Sequence, residues 1–180
     1  MQDWRGARFG QSETHESSEF ESNLVRGIRN RPHPSRRTQV AVFTRAETRN
    51  VRVASPEYAG SLAGVVKNAL DWMVGSGELY RKPVALISAG ISSGIHTRNA
   101  LVQTLTWQGA HVVASLGIGS PRTKSGAHGA ITAPQTITDL RAVAHLMVQA
   151  VANDPHVRME LVRSVMTDAG VDPEHIAPPE

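Results

Sequence analysis

From Val51 onward the chain alternates short aliphatic runs with segments of helical periodicity, and glycine-bearing turns separate them. Val51-Arg52-Val53-Ala54-Ser55 reads as a strand, which Pro56 is expected to end by removing a backbone donor. After a loop through Gly60, Ser61 is placed to cap a helix from about Leu62 to Val74. Val65, Val66, Ala69, Leu70 and Met73 recur there at helical spacing as one apolar face, and Gly75-Ser76-Gly77 terminates it. Pro83 to Ser88 is almost continuously apolar, the pattern of a strand covered by helices on both faces of a parallel sheet. The turn Ala89 to Gly94 leads into a helix from about Thr97 to Gln108, with Ala100, Leu101, Thr104 and Leu105 inward and Gly109 as its stop. Val112 to Leu116 is the third strand of the series. Beyond a loop rich in Gly and Ser, Thr138 or Asp139 can cap a helix reaching Val151, with Leu140, Val143, Ala144, Met147 and Val148 on one side. A short helix near Pro155 to Ala169 follows.

Strands alternating with helices over about a hundred residues argue for βαβ units, whose right-handed crossovers build a parallel sheet. The fold class is therefore α/β. Residues 1–50 differ in texture, with Ser, Glu and Arg, few aliphatics, and Gln39-Val40-Ala41-Val42-Phe43 as the single strand-like run. The expected organisation is a divergent, disordered arm over 1–38 and one packed domain over 39–180.

Composition narrows the chemistry. The 180 residues contain no Cys, which excludes disulfides and thiolate catalysis, so redox chemistry would have to come from a cofactor. The eight histidines are dispersed with no pair four apart, and no metal site is expected. No apolar stretch is long enough to span a membrane, and the polar start lacks a secretory pattern, so a cytoplasmic location is expected. Arg36-Arg37 has the form of a twin-arginine signal, but the apolar run after it ends within a few residues at Arg45 and Glu47. The net charge of +3 is concentrated in the first third. Arg26, Arg29, Arg31, Arg36 and Arg37 could meet a phosphate backbone, yet no aromatic is interleaved to stack bases, so a solvated arm is preferred to nucleic-acid binding.

Ligands of open parallel sheets sit beyond the carboxyl ends of the strands, which directs attention to the residues after Ser55 and after Ser88. The first bend, Ser55 to Ser61, combines a proline, a small residue and a glycine. The second, Ser88 to Gly94, has small residues throughout and precedes a helix N-terminus. His96 stands beside it, either exposed at the helix start or facing a ligand. Lys67 and Asp71 are spaced as a surface helix pair.

The run from Ser55-Pro56-Glu57-Tyr58-Ala59-Gly60-Ser61 through Lys67-Asn68-Ala69-Leu70-Asp71-Trp72 resembles the segment after the third strand of NADPH-dependent FMN reductases. Lys82 to Ser88 is similar to their fourth strand, and Gly109-Ala110-His111-Val112-Val113 to the approach to their fifth, with matching spacing. The resemblance is clearest over 51–150. It implies a flavodoxin-like three-layer sandwich, FMN and NADPH as cofactors, and hydride transfer from nicotinamide to flavin and on to a quinone, azo, flavin or oxyanion acceptor. It further implies that Pro56, Glu57, Tyr58, Gly60 and Ser61, together with Ser88, Ala89, Gly90, Ser92 and Gly94, contact the flavin. No catalytic acid or base is required of the protein. Relatives are commonly dimers or tetramers, so a homo-oligomer is expected.

The sequence departs from the family at its start. Members open with a strand and a Ser-rich loop of the type G-S-x-R-x-x-S-x-N that holds the FMN phosphate. Ser17, Ser18, Ser22, Asn23 and Arg26 offer the right residue types, but no strand precedes them. A wrong start, a shifted reading frame and genuine divergence each account for this. The competing reading is a catalytically silent flavodoxin-like remnant serving as an interaction or structural module.

Overall fold

The computed structural model describes residues 41–43, 50–126, 129–152 and 154–176. The arm expected over 1–38 lies outside the described residues, as do the serines considered for a phosphate. Strand β1 (Ala41–Phe43) pairs antiparallel with β2 (Val51–Tyr58). A two-residue turn then connects β2 to β3 (Ser61–Leu62), which folds back on it. Helix α1 (Gly64–Val74), strand β4 (Pro83–Gly90), helix α2 (Ile95–Trp107) and strand β5 (His111–Gly119) follow. A 3-10 turn (Pro121–Lys124), helices α3 (Pro134–Ala152) and α4 (Pro155–Asp168), and a 3-10 turn (Pro173–His175) complete the described order.

The sheet order is β1-β2-β4-β5, with β2, β4 and β5 parallel. Six consecutive buried residues, Pro83 to Ser88, make β4 the central strand, since successive side chains point to opposite faces and both must be covered. Helix α2 packs on β2, β4 and β5, α3 on β4 and β5, and α4 on β5 and α3. The core is aliphatic. Leu70, Leu86, Leu101, Leu105, Met147 and Met159 are fully buried, each contributing about 1.5–3 kcal/mol by leaving water. The mostly parallel α/β fold is flavodoxin-like.

Several local expectations are corrected. Pro56 does not end β2: it pairs with Ala89 of β4. Proline's fixed φ is compatible with extended backbone, so it removes one donor without ending β2, which runs on to Tyr58. Ser61 pairs with Tyr58, and α1 starts after Ala63 without a side-chain cap. Val65 is exposed, leaving Val66 and Leu70 as the buried positions of α1. Val102 and Thr106, rather than Ala100 and Thr104, join Leu101 and Leu105 inside α2. Helix α3 begins four residues before Thr138, whose hydroxyl instead bonds Pro134 O one turn back. The short helix expected near Pro155 to Ala169 is α4, where Asp154, not singled out from sequence, caps His156 N at 2.7 Å and Pro155 occupies the first turn.

Candidate functional site

The register places Ser55 opposite Ser88, and Ser88 opposite Gly117, across three parallel strands. Ser88 is buried, and its hydroxyl donates to Ser55 O at 2.7 Å, tying the first residues of the two bends together. Above this level the strands end. Tyr58 and Ser61 flank Ala59 and Gly60, whose φ values of 50° and 66° make the tight turn of a hairpin. The first bend is thus a hairpin rather than a simple strand-to-helix loop.

Glu57 joins the bends a second time. Its carboxylate accepts from the Ser92 hydroxyl, from His96 N at 2.9 Å and from Thr97 N at 3.3 Å. Sequence reading left the N-terminus of α2 open to a ligand. In the structure Glu57 occupies it, satisfying two amides that the helix itself cannot. The hydrogen bond from Ser92, then those from Thr97 and His96 and the nearby His96 ring, hold the Glu57 carboxyl below its ordinary 4.5, against a smaller opposing effect of desolvation. Thr97 adds a third tie, its hydroxyl donating to Ser61 O at 2.8 Å.

Small residues let these segments close. Gly94 precedes α2 with φ 64°, and a Cβ there would lie 2.1 Å from Ser88 Oγ. A Cβ on Gly117 would meet Ser93 O at 2.3 Å, and one on Gly119 would meet Ser93 Oγ at 2.8 Å. Gly117 and Gly119 were not singled out from sequence, although their alternation in β5 opposite the second bend was the available signal. Arg98 was also missed. Its guanidinium is partly buried below the second bend, Nη1 lies 3.4 Å from Ser115 Oγ, and Nε has no hydrogen-bond partner. Burial lowers its pKa, while Glu57 raises it.

The ten residues considered for a flavin all fall at this edge. Pro56 and Ala89 face each other in the ladder, Tyr58 is 51% exposed, Gly60 sits at the hairpin tip, and Gly90 approaches Glu57 closely. Ser88 and Gly94 lie beneath the surface, and Glu57 and Ser92 are engaged with each other. His96 is exposed. Lys67 and Asp71 pair on the exposed side of α1. Among the described residues no three His, Asp or Glu side chains cluster as metal ligands, and no helix is long and apolar enough to cross a membrane.

A largely parallel α/β sheet with two small-residue bends pinned together at its carboxyl edge defines a flavodoxin-like protein. Residues 51–125 match the family model described as NADPH-dependent FMN reductase. The match runs from β2 through the 3-10 turn after β5, and α3 and α4 lie beyond it. No curated protein matches the chain.

Proposed function

We propose that the protein is an NAD(P)H-dependent flavin oxidoreductase that holds FMN on the shelf formed by the two bends. The observation that carries this reading is the joining of the Ser55–Ser61 and Ser88–Gly94 segments by Glu57 and Ser88 at the carboxyl ends of neighbouring parallel strands, the position where such sheets bind ligands. The residues present fit a flat ring. Gly60 has open space around its Cα, with nothing nearer than 4.0 Å to a Cβ built there, and the side chains of Tyr58 and Ile91 stand exposed beside the bends.

Bound FMN would supply the redox chemistry, taking hydride from reduced nicotinamide and passing electrons to a quinone, azo compound, free flavin or oxyanion. Pro56, Tyr58, Gly60 and Ser61 form one wall of the shelf, and Ala89, Gly90 and Ser92 the other. Glu57, Ser88 and Gly94 act from below by fixing how far apart the walls stand, so that ring position is set before substrate arrives. Arg98 places positive charge beneath the same edge, where it favours negative charge developing above it. The acceptor is a small molecule, and the expected setting is a cytoplasmic homo-oligomer.

Titration of the purified chain with FMN tests this reading, followed by NADPH oxidation with a quinone present. Saturable binding with quenched flavin fluorescence and quinone-dependent turnover are expected. A cooperatively folded protein that leaves free FMN unchanged would instead support the silent remnant.

A further inference from the structure

From Leu79 to Thr138 the chain contains no Asp or Glu, and all 16 of its acidic residues lie outside that stretch. The gap takes in β4, the second bend, α2, β5 and the 3-10 turn after β5. Arg81, Lys82, Arg98, Arg122 and Lys124 all fall within it. Solvated surfaces ordinarily mix the two signs, so a one-signed run of this length gives that half of the sheet a positive field.

Two of these cations stand at the rim of the shelf. Gly119 pairs with Gly90 across the ladder, Ser120 N donates to Gly90 O at 3.1 Å, and a Cβ on Gly119 would come within 2.8 Å of Ser93 Oγ. The turn Pro121–Lys124 therefore leaves directly from the second wall. Two residues of chain span at most roughly 7 Å, which keeps Arg122 close to Gly90. The turn is also fixed in place. Thr123 N and Oγ1 donate to Ser120 O at 3.0 and 2.9 Å, Ser125 Oγ to Pro121 O at 2.8 Å, and Thr132 N to Lys124 O at 2.8 Å.

The turn's hydroxyls are thus used internally, while its charges are not. Among the described residues the side chains of Arg122 and Lys124 hold no hydrogen bond or ion pair. Arg122 is exposed and Lys124 half-buried. The acids that could have compensated them are engaged elsewhere: Glu57 caps α2, and Asp139 accepts from Gln135 Nε2 at 2.8 Å. Arg98, whose guanidinium lies beside Gly117, adds positive charge on the same side of the shelf.

We propose that Arg122 and Lys124 form a phosphate-binding turn that receives the phosphate end of the reduced nicotinamide dinucleotide. A guanidinium fork and a flexible ammonium two residues apart can close on one phosphate. The naming of the dinucleotide rests on the flavin reading, because a nicotinamide ring on the shelf must carry its phosphates out over one rim. The phosphate site itself does not.

The test uses the full chain, isotopically labelled and free of FMN, with 2′,5′-ADP as the probe. Saturable binding is expected, with amide shifts at Ser120, Thr123 and Ser125, and the double variant Arg122→Gln/Lys124→Gln should weaken it about tenfold or more. Arg163→Gln removes an exposed cation of α4 and should leave binding unchanged. With FMN and a quinone present, the double variant should raise the KM for NADPH with kcat retained. An unaltered KM for NADH assigns the contact to the 2′-phosphate, and an equal rise assigns it to the pyrophosphate. The proposal is overturned by absence of saturation up to about 5 mM, by unaltered affinity in the double variant, by equal loss in Arg163→Gln, or by a double variant that loses FMN affinity alone. A chain that binds 2′,5′-ADP at the turn but takes up no FMN removes the oxidoreductase reading and keeps the phosphate site; a flavoprotein whose double variant holds 2′,5′-ADP as tightly as wild type does the reverse.

Discussion

Glu57 and His96 are 39 residues apart, yet a carboxylate oxygen of the first accepts from the backbone N–H of the second at 2.9 Å. The end of β2 is thereby bonded to the start of α2, and one bend cannot move without the other. Ser92 and Thr97 complete the cap. An acidic residue is suited to this position because the helix presents partial positive charge there.

Glu57→Ala should therefore separate the bends. The expected outcome is a lower melting temperature, several-fold weaker FMN binding, and fraying of α2 seen as faster amide exchange at His96 and Thr97. Glu57→Gln, which keeps one acceptor oxygen, should fall between. Because the folded carboxyl titrates below its ordinary 4.5, its contribution is complete above that value and is lost as pH falls through the lower folded pKa. FMN affinity that stays level from pH 7 to 5 and drops below about pH 4.5 is expected in wild type, and that acid drop should be absent in Glu57→Ala. Identical acid profiles for the two proteins would remove Glu57 from the shelf's support.

Gly94→Ala should be among the most damaging single-methyl changes. The new Cβ would sit 2.1 Å from Ser88 Oγ and 2.5 Å from Ser88 Cβ, at a φ of 64° that side chains resist. Overpacking and left-handed strain together predict a loss of about 2–4 kcal/mol in urea unfolding. Adding Ser88→Ala should recover less than half, because the clash with Cβ persists and Ser55 O loses its donor. Gly60→Ala is the control. It has the same backbone strain with open space around it, and should cost only about 1 kcal/mol.

The contrast between these glycines shows how far the sequence could be read. Pro83 to Ser88 announced a central buried strand through unbroken apolarity, and the structure buries all six. Ser55, Ser88 and Gly94 were recognisable as bends because small residues followed strands. What was not legible depended on contacts distant in sequence. Nothing near Glu57 signals that its partner is the helix beginning at Ile95, so α2 read as an open anion site when it was already filled. Val65 and Val66 are equally apolar, and only the angle at which α1 meets the sheet decides that the second is buried.

Gly117→Ala probes the same closure from β5. Its Cβ would meet the backbone oxygen of Ser93 at 2.3 Å and Arg98 Nε at 3.0 Å. Backbone cannot swing aside as a side-chain end can, so the second bend must lift. Retained folding with FMN affinity reduced by roughly tenfold or more is expected. Unaltered affinity would show that Ser93 and its neighbours do not set the shelf.

His111 gives the chain a pH dependence with a definite sign. Its side chain is 9% exposed, and burial, with Arg158 and Arg81 adding repulsion, lowers its pKa from 6.5 to about 4. Above pH 6.5 the ring is neutral folded or unfolded, so His111 contributes no slope. Between 6.5 and about 4 the unfolded chain takes up the proton first, so stability falls as pH falls. The slope is at most about 1.4 kcal/mol per pH unit and flattens once the folded ring is also protonated. Urea unfolding at several pH values should show this decline in wild type, while His111→Gln, neutral throughout, should lack that component. Acid loss of the same steepness in both proteins would assign it to other groups and leave His111 a packing residue.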